Sequence, residues 1–135
     1  MTTAKNIAVI GAGYWGRNLV RNYANLGALS MICDRSAAIL GQFKEQYPNV
    51  DTCLTLSDVL SHPEVQGVAI ATPAETHYRI AREALLSGKH VFVEKPLVLH
   101  EKEAEELIRL AADQHLILMV GHLIQYHPSF EKLKQ

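Results

Sequence analysis

Near its start the chain contains three glycines with the spacing of a phosphate-binding loop. They follow an apolar run at residues 7–10 and precede an amphipathic helical pattern, in the segment Gly11-Ala12-Gly13-Tyr14-Trp15-Gly16. Between a strand and a helix, the first glycine permits a tight turn, the second lets a pyrophosphate approach the backbone, and the third allows close packing of the helix. The helix start also directs free N–H groups and its positive dipole end toward an anion. The segment therefore predicts a dinucleotide site formed by Gly11, Gly13 and Gly16, with Tyr14 and Trp15 beside the cofactor.

An acidic residue stands where the ribose of a bound dinucleotide would need one. Asp34 ends the second apolar run, residues 28–33, at about 20 positions beyond the glycines. Its carboxylate can accept hydrogen bonds from both ribose hydroxyls and would repel a 2′-phosphate, which favours NAD over NADP. Arg35 leaves NADP open as an alternative, because its guanidinium could stack on the adenine or tolerate the extra phosphate. A turn residue at a strand end is the plain alternative for Asp34, and the glycines upstream disfavour it.

The residue best suited to reaction chemistry is Lys95, which stands between Glu94 and Pro96 at the end of an apolar strand pattern. When an alcohol is oxidised by hydride transfer, its hydroxyl proton must leave as the hydride goes to the cofactor. A lysine at the nicotinamide end could hydrogen-bond that hydroxyl and take part in the proton transfer. Lys95 is therefore the candidate catalytic residue, with Glu94 as a further cofactor contact. From the residues alone, a surface lysine that pairs with Glu94 and has no catalytic role is an equally good interpretation.

Three more candidate cofactor contacts follow the apolar run at residues 67–71. Thr72 and Pro73 stand at the end of that run, and His77 lies near the start of the next helical pattern. For His77, a place at the helix start without chemical duty is the stronger interpretation of the sequence. His122 and His127 have a poor spacing for a metal ion, so no metal site is predicted.

Strands and helices alternate along the chain, which predicts an α/β fold with a parallel sheet covered on both faces. Apolar runs such as residues 67–71 and 90–93 are typical of strands that are buried on both faces. We expect a doubly wound Rossmann sheet of about six main strands in the order 3-2-1-4-5-6. Ligands of such sheets bind beyond the carboxyl ends of the strands, where the strand order reverses. The polar candidates fall at these ends, which supports the same site independently of the glycines.

Some local expectations concern single elements. Ser57, followed by an acidic residue, suits the N-cap of a short helix that runs through Leu60. The last strand is predicted over residues 116–120, and a final helix is predicted to open at Pro128. A helix over residues 101–112 is predicted to turn four apolar residues inward, namely Ala104, Leu107, Ile108 and Ala111.

The composition argues against several classes of function. The length of 135 residues suggests one domain, and a net charge of −1 without a basic run or stripe disfavours nucleic-acid binding. No apolar stretch reaches the length of a membrane span, and the first residues lack a signal-peptide segment, so a cytoplasmic protein without membrane contacts is predicted. Cys33 and Cys53 show no C-x-x-C spacing and are predicted to be small buried residues in a reducing compartment.

Four segments together resemble the Gfo/Idh/MocA oxidoreductases, the family of glucose–fructose oxidoreductase and inositol dehydrogenase. They are residues 11–16, residues 71–77, residues 93–97 and residues 120–122. The resemblance covers essentially the whole chain, and the Glu-Lys-Pro sequence in its strand context is its most specific part. The Tyr-Trp-Gly loop and residues 125–128 resemble members that oxidise nucleotide-linked aminouronic sugars.

The resemblance implies an N-terminal Rossmann domain that binds NAD or NADP, in which Lys95 contacts substrate and cofactor and has a catalytic role. It also implies a C-terminal α/β domain that carries much of the sugar pocket, usually a catalytic histidine, and often the interface of a homo-oligomer. The chain departs from that pattern because it stops at Gln135. We expect residues 1–121 to form the dinucleotide-binding domain and residues 122–135 to begin the connection to the second domain.

Two functions remain open from the sequence. The first is the NAD-binding half of a sugar or nucleotide-sugar dehydrogenase, and the second is a stand-alone nucleotide-binding or redox-sensing module without catalysis. The Glu-Lys-Pro sequence favours the enzyme, because a sensor has no need of a lysine at the nicotinamide end. The end of the chain favours the module. We expect the 135 residues to bind NAD without turning over sugars, because the sugar pocket is incomplete.

Overall fold

A computed structural model describes residues 5–121, which form one six-stranded parallel sheet in the order β3-β2-β1-β4-β5-β6. This confirms the predicted strand order. The strands are β1 (Ile7–Ile10), β2 (Leu29–Cys33), β3 (Asp51–Cys53), β4 (Gly67–Ile70), β5 (His90–Glu94) and β6 (Leu118–Gly121). The helices are α1 (Gly16–Asn25), α2 (Ala37–Gln46), α3 (Leu56–Leu60), α4 (His77–Leu86) and α5 (Glu101–Asp113), and a 3₁₀ turn at Ala74–Thr76 precedes α4.

Each face of the sheet is covered by its own helices. Successive strand residues point to opposite faces, so Val9 packs with α1 and α2, whereas Ile10 packs with α3, α4 and α5. β4 is buried along its whole length, as the unbroken apolar run predicted. Burial on both faces fixes the register of the central strands, because a slip of one residue would exchange the two faces.

The strand order reverses at β1, which pairs with β2 on one side and with β4 on the other. The connections after β1 and after β4 therefore leave the sheet in opposite directions at the same edge, which opens a crevice between them. All six strands are parallel, so the carboxyl ends of β1, β2, β4 and β5 meet at this edge. The fold thereby brings together the polar candidates that are far apart in the sequence.

Two local predictions were wrong in detail. The N-cap of α3 is Thr55, whose hydroxyl accepts the Asp58 N–H, and Ser57 lies inside the helix. Ile108 on α5 is 58% exposed. The covered face of α5 instead centres on Leu107 and Ala111, with Leu110 packed at its margin. Because residues of one helical face recur at three or four positions, Leu110 continues the face of Leu107, and Ile108 falls beside it.

Further observations concern the last strand, membrane-spanning helices and the end of the chain. The last strand begins at Leu118, two residues later than predicted. Within residues 5–121, no helix combines the length and apolarity that crossing a bilayer requires. The helix predicted at Pro128, and the predicted connection over residues 122–135, lie outside the described residues.

Candidate functional site

The glycine segment forms a tight turn between β1 and α1. Gly11 has a φ of +91°, and a Cβ there would lie 2.9 Å from the backbone of Ala71. At Gly16 a Cβ would overlap the carbonyl oxygen of Gly11. Gly16 therefore allows the loop to close on itself, whereas the sequence had suggested that it eases packing of the helix on the sheet. At both positions a side chain would clash with the protein's own backbone, so glycine is required there for the fold itself.

Gly13 differs from its two neighbours in the motif. A Cβ at Gly13 would meet nothing within 4 Å, and the residue is exposed. No steric demand from residues 5–121 requires glycine at this position. The open space in front of it is therefore available to a ligand that must come close to the backbone.

The start of α1 offers donors to such a ligand. Four consecutive N–H groups have no backbone or side-chain acceptor within residues 5–121, namely those of Gly13, Tyr14, Trp15 and Gly16. The next N–H, that of Arg17, bonds to the Gly13 carbonyl oxygen. The first N–H groups of a helix lack partners inside it and carry its positive dipole end. Together they form a site suited to an anion such as a pyrophosphate.

Asp34 joins the glycine loop to the end of β2. Its Oδ2 accepts the Ala12 N–H at 2.8 Å, and its Oδ1 accepts the Ser36 N–H at 2.8 Å. Each carboxylate oxygen retains a further lone pair for a ligand hydroxyl. The spacing in the sequence correctly predicted that Asp34 stands at a strand end, but it did not predict that the carboxylate holds two backbone N–H groups.

A cleft of about 400 Å³ opens between the ends of β1, β2 and β4. It is lined by six of the predicted residues: Gly11, Gly13, Asp34, Arg35, Thr72 and Pro73. The lining also includes residues that were not predicted, namely Leu54, Leu56, Thr76, Arg79 and Ile80. Leu54 and Leu56 follow β3, Thr76 lies in the 3₁₀ turn, and Arg79 and Ile80 lie on α4, so only the strand order places them beside Asp34. The apolar members suit a flat aromatic ring, and the two arginines suit its edge or a phosphate.

The other predicted residues lie outside the lining of this cleft. Tyr14 and Trp15 are exposed, with their rings edge to face at 5.3 Å, and the Arg17 guanidinium lies over the Tyr14 ring. Gly16 is buried under the loop. Contacts of Tyr14 and Trp15 with a cofactor stay predictions, because these side chains flank the open side of the loop.

Glu94 and Lys95 mark the end of β5, the strand beyond β4. Glu94 is the last residue of the strand and is half-buried, whereas Lys95 is exposed and its N–H donates to the Gly121 carbonyl at 3.3 Å. Burial raises the pKa of Glu94, and the charge of His77 partly opposes that rise. The structure therefore places Lys95 just beyond the end of β5, at the same sheet edge as the cleft.

His77 is placed differently from the predicted cofactor contact. Its side chain is 1% exposed at the first position of α4. Nδ1 lies 2.7 Å from the Pro96 carbonyl oxygen, and Nε2 lies 2.8 Å from the Thr72 carbonyl oxygen. Since both ring nitrogens are occupied by the backbone, a direct contact between His77 and a cofactor has no support in this geometry.

The open space at Gly13, the partnerless N–H groups and the Asp34 carboxylate fit the pyrophosphate and ribose of a dinucleotide. The sequence profile of the GFO_IDH_MocA oxidoreductase family, whose domain has an NAD-binding Rossmann fold, matches residues 5–122. The chain belongs to the Gfo/Idh/MocA oxidoreductase family. This confirms the resemblance drawn from the sequence, and it makes NAD-type dinucleotides the cofactors of the fold.

Members of the Gfo/Idh/MocA family with named activities resemble this chain over nearly its whole length. UDP-N-acetylglucosamine 3-dehydrogenase from Acidithiobacillus ferrooxidans is 35% identical over 132 residues, which cover 94% of this chain and 40% of that protein. The solved structure of the enzyme of that name from the same organism superposes with a TM-score of 0.86, at 32% identity, over 96% of this chain and 42% of that one.

Two other solved structures that resemble this chain contain cofactors. GenD2 of gentamicin A biosynthesis, in complex with NAD, has a TM-score of 0.90 at 28% identity, over 98% of this chain and 38% of that one. Biliverdin reductase from Synechocystis sp. PCC 6803, in complex with biliverdin and NADP⁺, has a TM-score of 0.89 at 26% identity, over 98% and 42%. The chain thus spans about 40% of the length of such relatives.

The glycine geometry predicts that Gly16→Ala destabilises this Gfo/Idh/MocA domain. The added Cβ overlaps the Gly11 carbonyl oxygen, so the backbone of the loop must move. We expect a loss of about 3 kcal/mol in the free energy of unfolding, measured by urea titration. The matched control is Gly41→Ala in α2, where a Cβ meets nothing within 4 Å, and it should be neutral or stabilising. Equal free energies of unfolding for Gly16→Ala and Gly41→Ala would contradict the close approach of a Cβ at residue 16 to the Gly11 carbonyl oxygen.

Proposed function

We propose that this chain is the cofactor-binding domain of a longer NAD-dependent dehydrogenase. Its substrate is a sugar or nucleotide sugar that is oxidised at a hydroxyl-bearing carbon. The observation that carries the proposal is the placement of Lys95 at the carboxyl end of β5, at the same sheet edge as the Gly13–Asp34 cleft. A resemblance to UDP-N-acetylglucosamine 3-dehydrogenase supports a nucleotide sugar. A sensor without catalysis is not favoured, because similar proteins such as UDP-N-acetylglucosamine 3-dehydrogenase and biliverdin reductase are enzymes.

In the proposed mechanism the chain binds and orients, and it supplies one group for proton transfer. The N–H groups at the start of α1 hold the pyrophosphate, and Asp34 receives the adenosine ribose. A nicotinamide ring supplies the hydride acceptor of such reactions. Lys95 hydrogen-bonds the substrate hydroxyl and takes up its proton, or passes it to solvent, while the carbon loses its hydride. Oxidation at that carbon yields a ketone.

The remainder of the substrate site is proposed to lie in a second domain that follows residue 121. Lys95 is one polar contact, whereas a nucleotide sugar presents several hydroxyls and a diphosphate. The share of about 40% of the relatives' length supports the presence of further polypeptide in the active protein. We propose a homo-oligomer in the cytoplasm. Two exposed apolar side chains, Ile117 just before the edge strand β6 and Met119 within it, support an interface there.

The test of this function is turnover in the protein extended through its second domain. NADH absorbance should rise when NAD is supplied together with members of a panel of UDP-linked amino sugars and uronates. Calorimetric titration of the 135-residue chain with NAD serves as the companion measurement. Binding of NAD without turnover of any member of the panel would contradict the proposed substrate class and leave the cofactor site standing.

Cofactor preference gives a separate prediction. The Asp34 carboxylate lies in the cleft and would stand close to a 2′-phosphate, so the chain should bind NAD more tightly than NADP. Asp34→Asn removes the charge and keeps an oxygen that can accept the Ala12 or the Ser36 N–H. We expect the NAD-to-NADP affinity ratio to fall about tenfold, which corresponds to about 1.4 kcal/mol. Competition titrations measure it, and an unchanged ratio would show that Arg35 or Arg79 sets the preference.

A further inference from the structure

His77 connects two loops that carry different parts of the proposed site. One of its partners, the carbonyl of Thr72, belongs to a residue that lines the cleft. The other partner, the carbonyl of Pro96, belongs to the residue that follows Lys95. The ring is buried at the start of α4, between the ends of β4 and β5. One imidazole therefore holds the wall of the dinucleotide cleft to the loop of the reactive lysine.

The chemistry of these contacts defines the protonation state of the ring. Both partners of His77 are carbonyl oxygens, which only accept hydrogen bonds. A neutral imidazole has a hydrogen on one nitrogen only, so its other nitrogen would turn a lone pair toward an oxygen less than 3 Å away. An imidazolium donates from both nitrogens and satisfies both short contacts.

The surroundings can stabilise such a cation. A buried charge is costly unless it is paired and hydrogen-bonded. Two carbonyl oxygens receive the N–H groups of His77, and the half-buried carboxylate of Glu94 on β5 interacts with its charge. Burial has the larger effect and raises the pKa of Glu94, and the interaction with His77 opposes part of that rise.

We infer that His77 is a positioning residue that, as a buried imidazolium, fixes the backbone on either side of Lys95 relative to the cleft. The Lys95 N–H is anchored on the Gly121 carbonyl, and the carbonyl of the next residue, Pro96, is anchored on His77. The placement of the amine matters because a misplacement of about 1 Å can cost about a hundredfold in rate. The inference rests on the reactive role proposed for Lys95.

The first experiment observes the ring itself in the 135-residue chain. Long-range ¹H–¹⁵N correlation on histidine-labelled protein distinguishes an imidazolium from either neutral tautomer, and the His77→Gln spectrum assigns the signals. We expect both nitrogens of His77 to carry hydrogens at pH 7.5. One bare nitrogen at that pH would overturn the imidazolium.

The second experiment measures the anchoring of Lys95 by amide hydrogen exchange. His77→Phe keeps a ring and removes both donors, so exchange of the Lys95 N–H should accelerate about tenfold or more, whereas that of Val91 within β5 should not. His77→Gln, which retains an amide donor, should give a smaller acceleration and keeps the test available if the phenylalanine variant fails to fold. The matched control is His100→Gln, at an exposed position without a side-chain cap. Unchanged Lys95 exchange in both His77 variants would overturn the positioning role.

The third experiment separates this inference from the proposed function. In the protein extended through its second domain, His77→Gln should lower kcat about tenfold and leave the Kd for NAD within about threefold. An unchanged kcat in an active enzyme would overturn the positioning role. If the unaltered protein turns over no sugar, the proposed function fails, and the ring spectrum together with Lys95 exchange decides whether the His77 clamp exists.

Discussion

Gly13→Val is expected to abolish measurable NAD binding while the domain stays folded. The protein itself leaves the space around the position of a Cβ open, since nothing lies within 4 Å of it. A branched side chain there would fill the space through which a pyrophosphate reaches the N–H groups at the start of α1. We expect the Kd for NAD to rise about a hundredfold or more, equivalent to about 2.8 kcal/mol, in calorimetric titration.

A side chain at Gly13 tests cofactor binding separately from folding, because the protein leaves room for it there. Gly11 and Gly16 cannot be used for the same purpose, because a Cβ at either position meets the backbone and would disturb the fold. Gly41→Val is the matched control, since Gly41 also has open space around it but lies on α2. It should bind NAD as the unaltered chain does. Circular dichroism verifies that both variants are folded, and NAD binding by folded Gly13→Val at the original affinity would remove the glycine loop as the pyrophosphate site.

Lys95→Ala should lower kcat about 10²- to 10⁴-fold in the protein extended through its second domain, which is the range for loss of a positioned proton-transfer group. NAD affinity should change no more than about threefold, because Lys95 lies outside the lining of the dinucleotide cleft. NADH absorbance with the UDP-linked sugar panel gives kcat, and calorimetry of the 135-residue chain gives the affinity.

The matched control for Lys95 is Lys102→Ala. Lys102 is another exposed lysine, in the first turn of α5 and outside the lining of the cleft, so its loss should leave kcat unchanged. Lys95→Arg tests whether a cation alone is sufficient, since a guanidinium stays protonated and cannot take up the proton of the substrate hydroxyl. We expect it to remain impaired. A kcat for Lys95→Ala within about threefold of the unaltered protein would refute the reactive role and favour a lysine that serves only the surface.

Much of this protein was determined by patterns that are local in the sequence. The unbroken apolar runs predicted buried parallel strands, and their alternation with helical patterns predicted the sheet order, because right-handed crossovers leave few arrangements. The glycine spacing placed the phosphate-binding turn, and Asp34 followed at the distance that a strand–helix–strand unit requires. These features depend on backbone sterics and on burial, which each segment encodes by itself.

Other features were decided only by tertiary structure. Leu54 and Arg79 line the cleft only because β3 and α4 are folded against the same sheet edge. No short-range pattern contains these contacts.

His77 shows the limit of the sequence most clearly. Its place near a helix start suggested a residue without chemical duty or a cofactor contact, and neither interpretation predicted a buried ring between the carbonyls of Thr72 and Pro96. Those two oxygens are 5 and 19 residues away along the chain. They meet at one ring because β4 and β5 are neighbours in the sheet.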